Sequence, residues 1–216
     1  TYARWSNTYA RQLIREDIRD LTDVRSVTAM ETLFHLLPSR VGSTLSVSGM
    51  ARDLQVSPVS VKNWLDLFER FFLTFSIAPW TAKVARAIVK ERKVYLFDLP
   101  RLKDGGARFE NMVALELWRA ATSWNDLGLG EFGLHFIKNK EKQEVDFLLS
   151  RDHKPFLLVE AKLAEREPSV PLKKFQQALH VPALQLIEAG DNYRFLSNGD
   201  QKIMVAPAWL WLAGLP

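Results

Sequence analysis

Two short runs limit what this chain can fold into. Gln143-Glu144-Val145-Asp146-Phe147-Leu148-Leu149 and Pro155-Phe156-Leu157-Leu158-Val159-Glu160-Ala161-Lys162 are dense in β-branched, aromatic and aliphatic residues, and Arg151-Asp152-His153-Lys154 between them has the polarity of a turn. Together they predict a hairpin. Strand side chains alternate between faces, so Glu144 and Asp146 share one face of the first strand, and Leu158, Glu160 and Lys162 share one face of the second. The hairpin is therefore expected to gather three carboxylates and one ammonium. Acids inside apolar strands are expensive to bury unless something pairs with them, and a divalent cation together with Lys162 would do so. A solvated strand end or a structural ion pair fits the same spacing, which Glu91/Lys93, Asp152/Lys154 and Asp200/Lys202 repeat. Glu160/Lys162 differs from these in ending a continuous apolar run with an acid-bearing strand just upstream.

Composition narrows the partners. A formal charge of +4 and a pI near 9.3 favour an anionic partner such as nucleic acid. The absence of cysteine excludes disulfides and zinc-thiolate sites and is consistent with a cytoplasmic protein. No apolar run approaches the roughly 18 residues of a membrane span, and the N-terminus has no signal-peptide pattern. His35, His135, His153 and His180 show no ligand spacing and read as structural or exposed. The length of 216 residues suits one large or two small domains.

In the first half, Tyr2, Trp5, Tyr9, Leu13, Ile18 and Leu21 recur at roughly helical spacing over residues 1–22, and Val27 to Leu37 is a second helix ended by Pro38. The abrupt start, without methionine, reads as a piece of something longer. Ser46 to Leu54 is a short helix. Val56-Ser57-Pro58 is a turn, with Ser57 as N-cap and Pro58 at the first position of a longer helix through about Phe72. Short helix, tight turn, longer helix is the arrangement of a helix-turn-helix, in which the second helix offers its N-terminal residues to the major groove. Those are Ser57, Ser60, Val61 and Lys62, with Asn63 and Trp64 close behind, while Leu65, Leu67, Phe68, Phe71 and Phe72 are expected to face the core. Thr74 to Ile77 and Lys93 to Phe97 follow as two strands joined by a basic segment, Lys83, Arg86, Lys90, Arg92 and Lys93, which reads as a wing. A helical bundle with a solvated basic loop fits the same residues.

Pro100 to Gly106 supplies turn chemistry and marks the expected domain boundary, with a helical and winged-helix domain over residues 1–99 and a second domain over 100–216. Beyond it comes a long helix from Ala107 to Ser123, with Glu110 near its first turn. Strands at 134–138, 143–150 and 155–163 follow. Next is a helix from Val170 to Leu179 bearing Lys173, Lys174, Gln176 and Gln177, then a strand from Ala183 to Glu188. A last strand pair and a short apolar helix from Pro207 complete the chain.

Helix, three strands, helix, strand, with these residues in it, resembles the PD-(D/E)xK superfamily of restriction-endonuclease-like nucleases. The match places Asp146 at the first acidic position, Glu160-Ala161-Lys162 as the second motif and Glu110 as the acid on the preceding helix. Val145 stands where proline gives that motif its name, a position that varies in the superfamily. The resemblance implies an α/β/α domain with a central mixed sheet and hydrolysis assisted by Mg2+ or Mn2+. Asp146, Glu160 and the Ala161 carbonyl would ligate the ion, Lys162 would help position the attacking water, and Gln176 or Gln177 would be an extra polar contributor. The whole chain also resembles the C-terminal half of a family of bacterial and archaeal AAA-type ATPases. The resemblance runs through Val56 to Leu65, Lys93 to Asp98, Phe109-Glu110-Asn111, Glu144 to Phe147 and Val159 to Lys162. At Leu99-Pro100 the chain departs from the small residue and glycine usual there. No phosphate-cradling GxxxxGK[ST] loop occurs, so ATP is implied only for a preceding domain. The expectation is a DNA-binding, metal-dependent nuclease, possible as an oligomer. Ser57, Ser60, Lys62, Asn63, Lys83, Arg86, Lys90, Lys173 and Lys174 would be on the nucleic acid. The alternative is a non-catalytic DNA- or protein-binding module that regulates the attached ATPase.

Overall fold

The computed structural model describes residues 8, 9, 12–14, 27–81, 92–164 and 167–216. Most of the helical stretch expected over residues 1–22, and the basic residues Lys83, Arg86 and Lys90, lie outside the described residues. Six α-helices lie wholly within them: α1 (Val27–Leu36), α2 (Val47–Asp53), α3 (Pro58–Arg70), α4 (Gly105–Asp126), α5 (Val170–Leu179) and α6 (Ala208–Leu212). Eight strands accompany them: β1 (Thr74–Pro79), β2 (Lys93–Leu96), β3 (Phe132–Lys138), β4 (Glu144–Arg151), β5 (Lys154–Lys162), β6 (Ala183–Ile187), β7 (Arg194–Asn198) and β8 (Gln201–Pro207). The structure is mixed α/β, its strands forming one mixed sheet in the order β2-β1-β3-β4-β5-β6-β8-β7. Among the described residues no helix is long and apolar enough to cross a membrane. The chain forms two compact units, Thr1–Ser76 with Glu91–Lys103, and Ile77–Lys90 with Asp104–Pro216.

In the first unit α1 buries Met30, Leu33 and Phe34, and the Arg101 guanidinium lies 4.4 Å over the Phe34 ring. Ser46 caps α2 by accepting from the Gly49 N–H at 3.2 Å. The helix stops because Gln55 turns left-handed (φ 55°), its N–H donating to the Arg52 carbonyl while the Val56 N–H donates to that of Ala51. That pair of bonds satisfies carbonyls a helix end otherwise leaves open. Ser57 then caps α3, accepting from the Ser60 N–H at 3.0 Å, with Pro58 in the first turn where its missing donor does no harm. Val61, Trp64 and Phe68 recur on one buried stripe. The same left-handed device ends α3 at Phe72 (φ 53°), through Phe72 N–H to Glu69 and Leu73 N–H to Phe68. This overturns three expectations: Val61, expected toward the major groove, is wholly buried on that stripe. Trp64 faces the core, and Phe72 is 65% exposed because the helix breaks just before it, leaving its ring edge-on to Phe97. Lys93, expected on a solvated basic segment, is the buried first residue of β2, at 1% exposure.

The second unit runs α4-β3-β4-β5-α5-β6, then β7, β8 and α6. Asp104 caps α4 by accepting from the Ala107 N–H at 2.8 Å. The helix therefore starts earlier than its apolar residues indicate, and Glu110 falls in the second turn instead of the first. The dipole complement expected of Glu110 belongs to Asp104. β4 and β5 are joined by Asp152 and His153, both at positive φ (49° and 62°), the two-residue turn whose twist suits a hairpin. β5, β6 and β8 run parallel and β7 returns antiparallel to β8 at the margin. Ile137, Val145, Leu148, Leu158, Leu172, Ala183 and Ile203 form one core cluster, with α5 contributing Leu172.

Candidate functional site

The residues singled out in the sequence meet where β4 and β5 part. The registered pairs Leu149↔Leu157, Leu148↔Leu158 and Phe147↔Val159 stop one step short of Asp146 and Glu160. There a side chain takes over from the ladder: the Ala161 N–H donates to Asp146 Oδ2 at 2.9 Å. Glu160, on β5, is 3% exposed. Its Oε1 is 3.3 Å from Lys162 Nζ, and its Oε2 accepts from the Ser169 N–H at 3.3 Å. Ser169 is the N-cap of α5, so this carboxylate lies at the positive end of a helix as well as beside a lysine. Both features hold a charge that burial alone would disfavour. The Lys162 side chain keeps 36% of its surface exposed, so its ammonium stays hydrated on one side.

Straight alternation does not describe β4. His135 pairs with Leu148 and Ile137 with Val145, so on β4 Asp146 and Phe147 together oppose the single residue Phe136. That is a bulge, which bends a strand and re-aims a side chain. It is why Val145 and Leu148, three positions apart, can belong to one core cluster. The gathering of three carboxylates expected from alternation does not form. Glu144 pairs with Lys138 across the β3–β4 ladder at 2.8 Å. Among the described residues no three carboxylates or imidazoles converge in metal-ligating geometry, so neither Glu110 nor Glu144 joins Asp146 and Glu160 in one cluster. What remains is two acids, the Ala161 carbonyl and Lys162. That set fits Mg2+, which is usually held by one or two carboxylates with waters and substrate phosphates completing an octahedron.

Gln176 and Gln177, expected as polar contributors, are used elsewhere. Gln176 is buried, donating to the Lys202 carbonyl at 2.9 Å and accepting from Asn198 Nδ2 at 2.8 Å; Gln177 donates to Asn198 Oδ1 at 3.2 Å. They fasten α5 to the β7–β8 hairpin. Lys173 reaches Glu167 at 3.7 Å and Lys174 is exposed. On α3, Ser57 and Ser60 are bonded to one another while Lys62 and Asn63 stand exposed.

One polar residue escaped sequence reasoning. Gln185, wholly buried in β6, is the registered partner of Glu160. Its signal, a lone glutamine in the apolar run Ala183–Ile187, carries no sign of the strand it will neighbour. Elsewhere in the unit, His135 Nε2 lies 3.1 Å from the buried Ser150 hydroxyl. Burial pushes the His135 imidazole below the usual histidine range; the Ala78 backbone offsets part of this and the His153 charge adds to it. Gly133 leaves room for the ring, since a Cβ there would come within 2.7 Å of Nε2.

Comparison with known proteins divides the chain in similar places. Residues 1–99 match a model described as Domain of unknown function (DUF8612), and residues 105–210 match Domain of unknown function (DUF4143). An uncharacterized protein of Methanocaldococcus jannaschii is 22% identical over 222 residues, covering 94% of this chain and 48% of that protein. The chain thus spans about half the length of the curated relative it matches. No solved structure matches the chain.

Proposed function

We propose that this chain binds nucleic acid and that its second unit hydrolyses phosphodiesters with Mg2+ or Mn2+. The observation that carries the reading is the seating of Asp146 on the Ala161 N–H beside the Glu160–Lys162 pair, at the point where two strands separate. Asp146, Glu160 and the Ala161 carbonyl would hold the ion, which supplies a water of lowered pKa and neutralises charge on the phosphoryl group. Lys162, tethered to Glu160 yet exposed on one side, would orient that water or meet charge developing on the phosphate. In the first unit, α2, its left-handed turn at Gln55 and α3 read as a helix-turn-helix. With β1 and β2 they would form a winged helix that brings Lys62 and Asn63 to the duplex. The α4-β3-β4-β5-α5-β6 order supports a restriction-endonuclease-like core, and the AAA-type resemblance implies an ATP-binding domain as its partner in the longer protein.

A second reading has its own support. Both Glu160 oxygens are engaged within the protein, and Glu144 is taken by Lys138, as in a scaffold that keeps its acids for structure. On that reading the chain is a non-catalytic DNA- or protein-binding module. Calorimetric titration of Mn2+ into wild type and into Asp146→Asn/Glu160→Gln, with DNA cleavage measured on the same samples, separates the two. Binding and cutting that disappear together support the nuclease; a wild type that binds no metal leaves only the scaffold.

A further inference from the structure

Glu160 lies on β5 one step beyond the apolar row that Leu158, Ala183 and Ile203 form across the parallel strands. Its two oxygens are held by donors of different kinds. Oε1 faces Lys162 Nζ at 3.3 Å, an ammonium on a flexible stem whose side chain keeps 36% of its surface exposed. Oε2 accepts from the Ser169 N–H at 3.3 Å, a backbone donor with no rotamer to change. That donor is fixed from both sides. Pro168 before it is buried, and Leu172 after it is wholly buried in the core cluster. Pro168 and Pro171 each lock φ, which leaves the chain few ways to enter α5. The Ser169 hydroxyl accepts from the Leu172 N–H at 3.1 Å, so the residue that donates to Glu160 also ties the first turn of α5 to its own start.

We infer that Ser169 is a positioning residue for Glu160. Its cap holds the entry to α5 so that its N–H keeps Oε2 in place, which leaves Oε1 as the oxygen that exchanges the mobile Lys162 ammonium for a divalent cation. A fixed, uncharged donor orients a carboxylate without cancelling its charge, as the outer-shell partners of metal ligands do. Engagement of both oxygens is then compatible with metal binding, because one of the two bonds is enough to give up. The role rests on the metal-dependent reading above and falls to a residue outside the ligand set.

The test uses the whole chain with Mn2+ as probe. Ser169→Ala removes the hydroxyl and loosens the first turn of α5; it is expected to weaken Mn2+ binding by about 10-fold, the low end of what loss of an outer-shell partner costs. Ser169→Asn, whose side chain caps a helix as well as serine does, should restore wild-type affinity. Asn198→Ala is the control, since it frees α5 from the β7–β8 hairpin and destabilises the chain without touching the cap; it should bind Mn2+ as wild type does. Amide exchange reads the same bond without metal: protection at residue 169 is expected in wild type and Ser169→Asn, and its loss in Ser169→Ala. With wild type binding Mn2+, any of four results overturns the assignment and leaves the metal site intact: unchanged affinity in Ser169→Ala, no recovery in Ser169→Asn, an equal loss in Asn198→Ala, or an unprotected wild-type amide at residue 169. No Mn2+ binding by wild type overturns both.

Discussion

Lys62 and Asn63 stand exposed on α3, on a helix whose buried stripe of Val61, Trp64 and Phe68 does not involve them. Glu160 is 3% exposed, engaged at both oxygens, with an apolar row behind it. In the first unit the proposed functional residues can be exchanged without touching what holds the helix in place. In the second the proposed chemistry and the local stability share the same atoms. The difference teaches where a mutation can be interpreted simply: on α3 a loss of binding is a loss of contact, whereas at Glu160 a loss of activity has to be separated from a loss of fold.

The sharpest test of that contrast is Glu160→Ala. It leaves the Ser169 N–H and the Lys162 ammonium without their acceptor and opens a void in the sheet, and should destabilise by about 2–4 kcal/mol in urea unfolding. Glu160→Gln keeps the shape and should recover much of this while still abolishing metal binding. An alanine variant as stable as wild type would sink the claim that this acid is structural as well as functional. Next comes Asn198→Ala, which removes bonds to Gln176, Gln177 and the Lys173 carbonyl, for about 2 kcal/mol. Since this network lies away from Asp146, Mn2+ affinity should not change; a parallel fall in affinity would mean that the α5 anchor also shapes the site.

A pH-dependent contribution should trace to His135. Burial holds its imidazole neutral in the fold, whereas the unfolded chain takes up a proton near about pH 6.5. The unfolded state binds more protons below that value, so stability is full above about pH 6.5 and declines as the pH falls toward the lowered folded value. His135→Gln should flatten this slope in melting curves recorded across that window. Smallest in stability are Lys62→Ala and Asn63→Ala, each within about 0.5 kcal/mol of wild type. Yet Lys62→Ala should weaken DNA binding and reduce the slope of log affinity against log salt by about 1. An unchanged slope would remove Lys62 from the interface and with it the contrast drawn here.

Much of this was legible from residue patterns. The β4–β5 hairpin showed because its apolar runs are continuous and Asp152-His153 tolerates positive φ, and α3 showed because Ser57-Pro58 is a strong start signal. What could not be read depends on neighbours. The bulge at Asp146-Phe147 exists only relative to Phe136 on β3, and the pairing of Glu160 with Gln185 only once β5 and β6 are registered. Gln176 looked available because nothing near it in sequence reveals Asn198. Phe72 looked like a core residue because no glycine or asparagine there signals that the chain turns left-handed after Arg70.

The strand order at the sheet margin also bears on how the chain assembles. After β6 the polypeptide travels out to become β7, turns through Gly199 (φ 65°) and Asp200, and only then fills the place beside β6 as β8. The β7–β8 contacts are local and close quickly, within microseconds for an isolated hairpin, whereas the β6–β8 seam joins segments separated by that whole excursion. Gln176, reaching the Lys202 carbonyl and Asn198, ties that hairpin to α5, so the seam made across the longer excursion is backed by side-chain bonds from a third element.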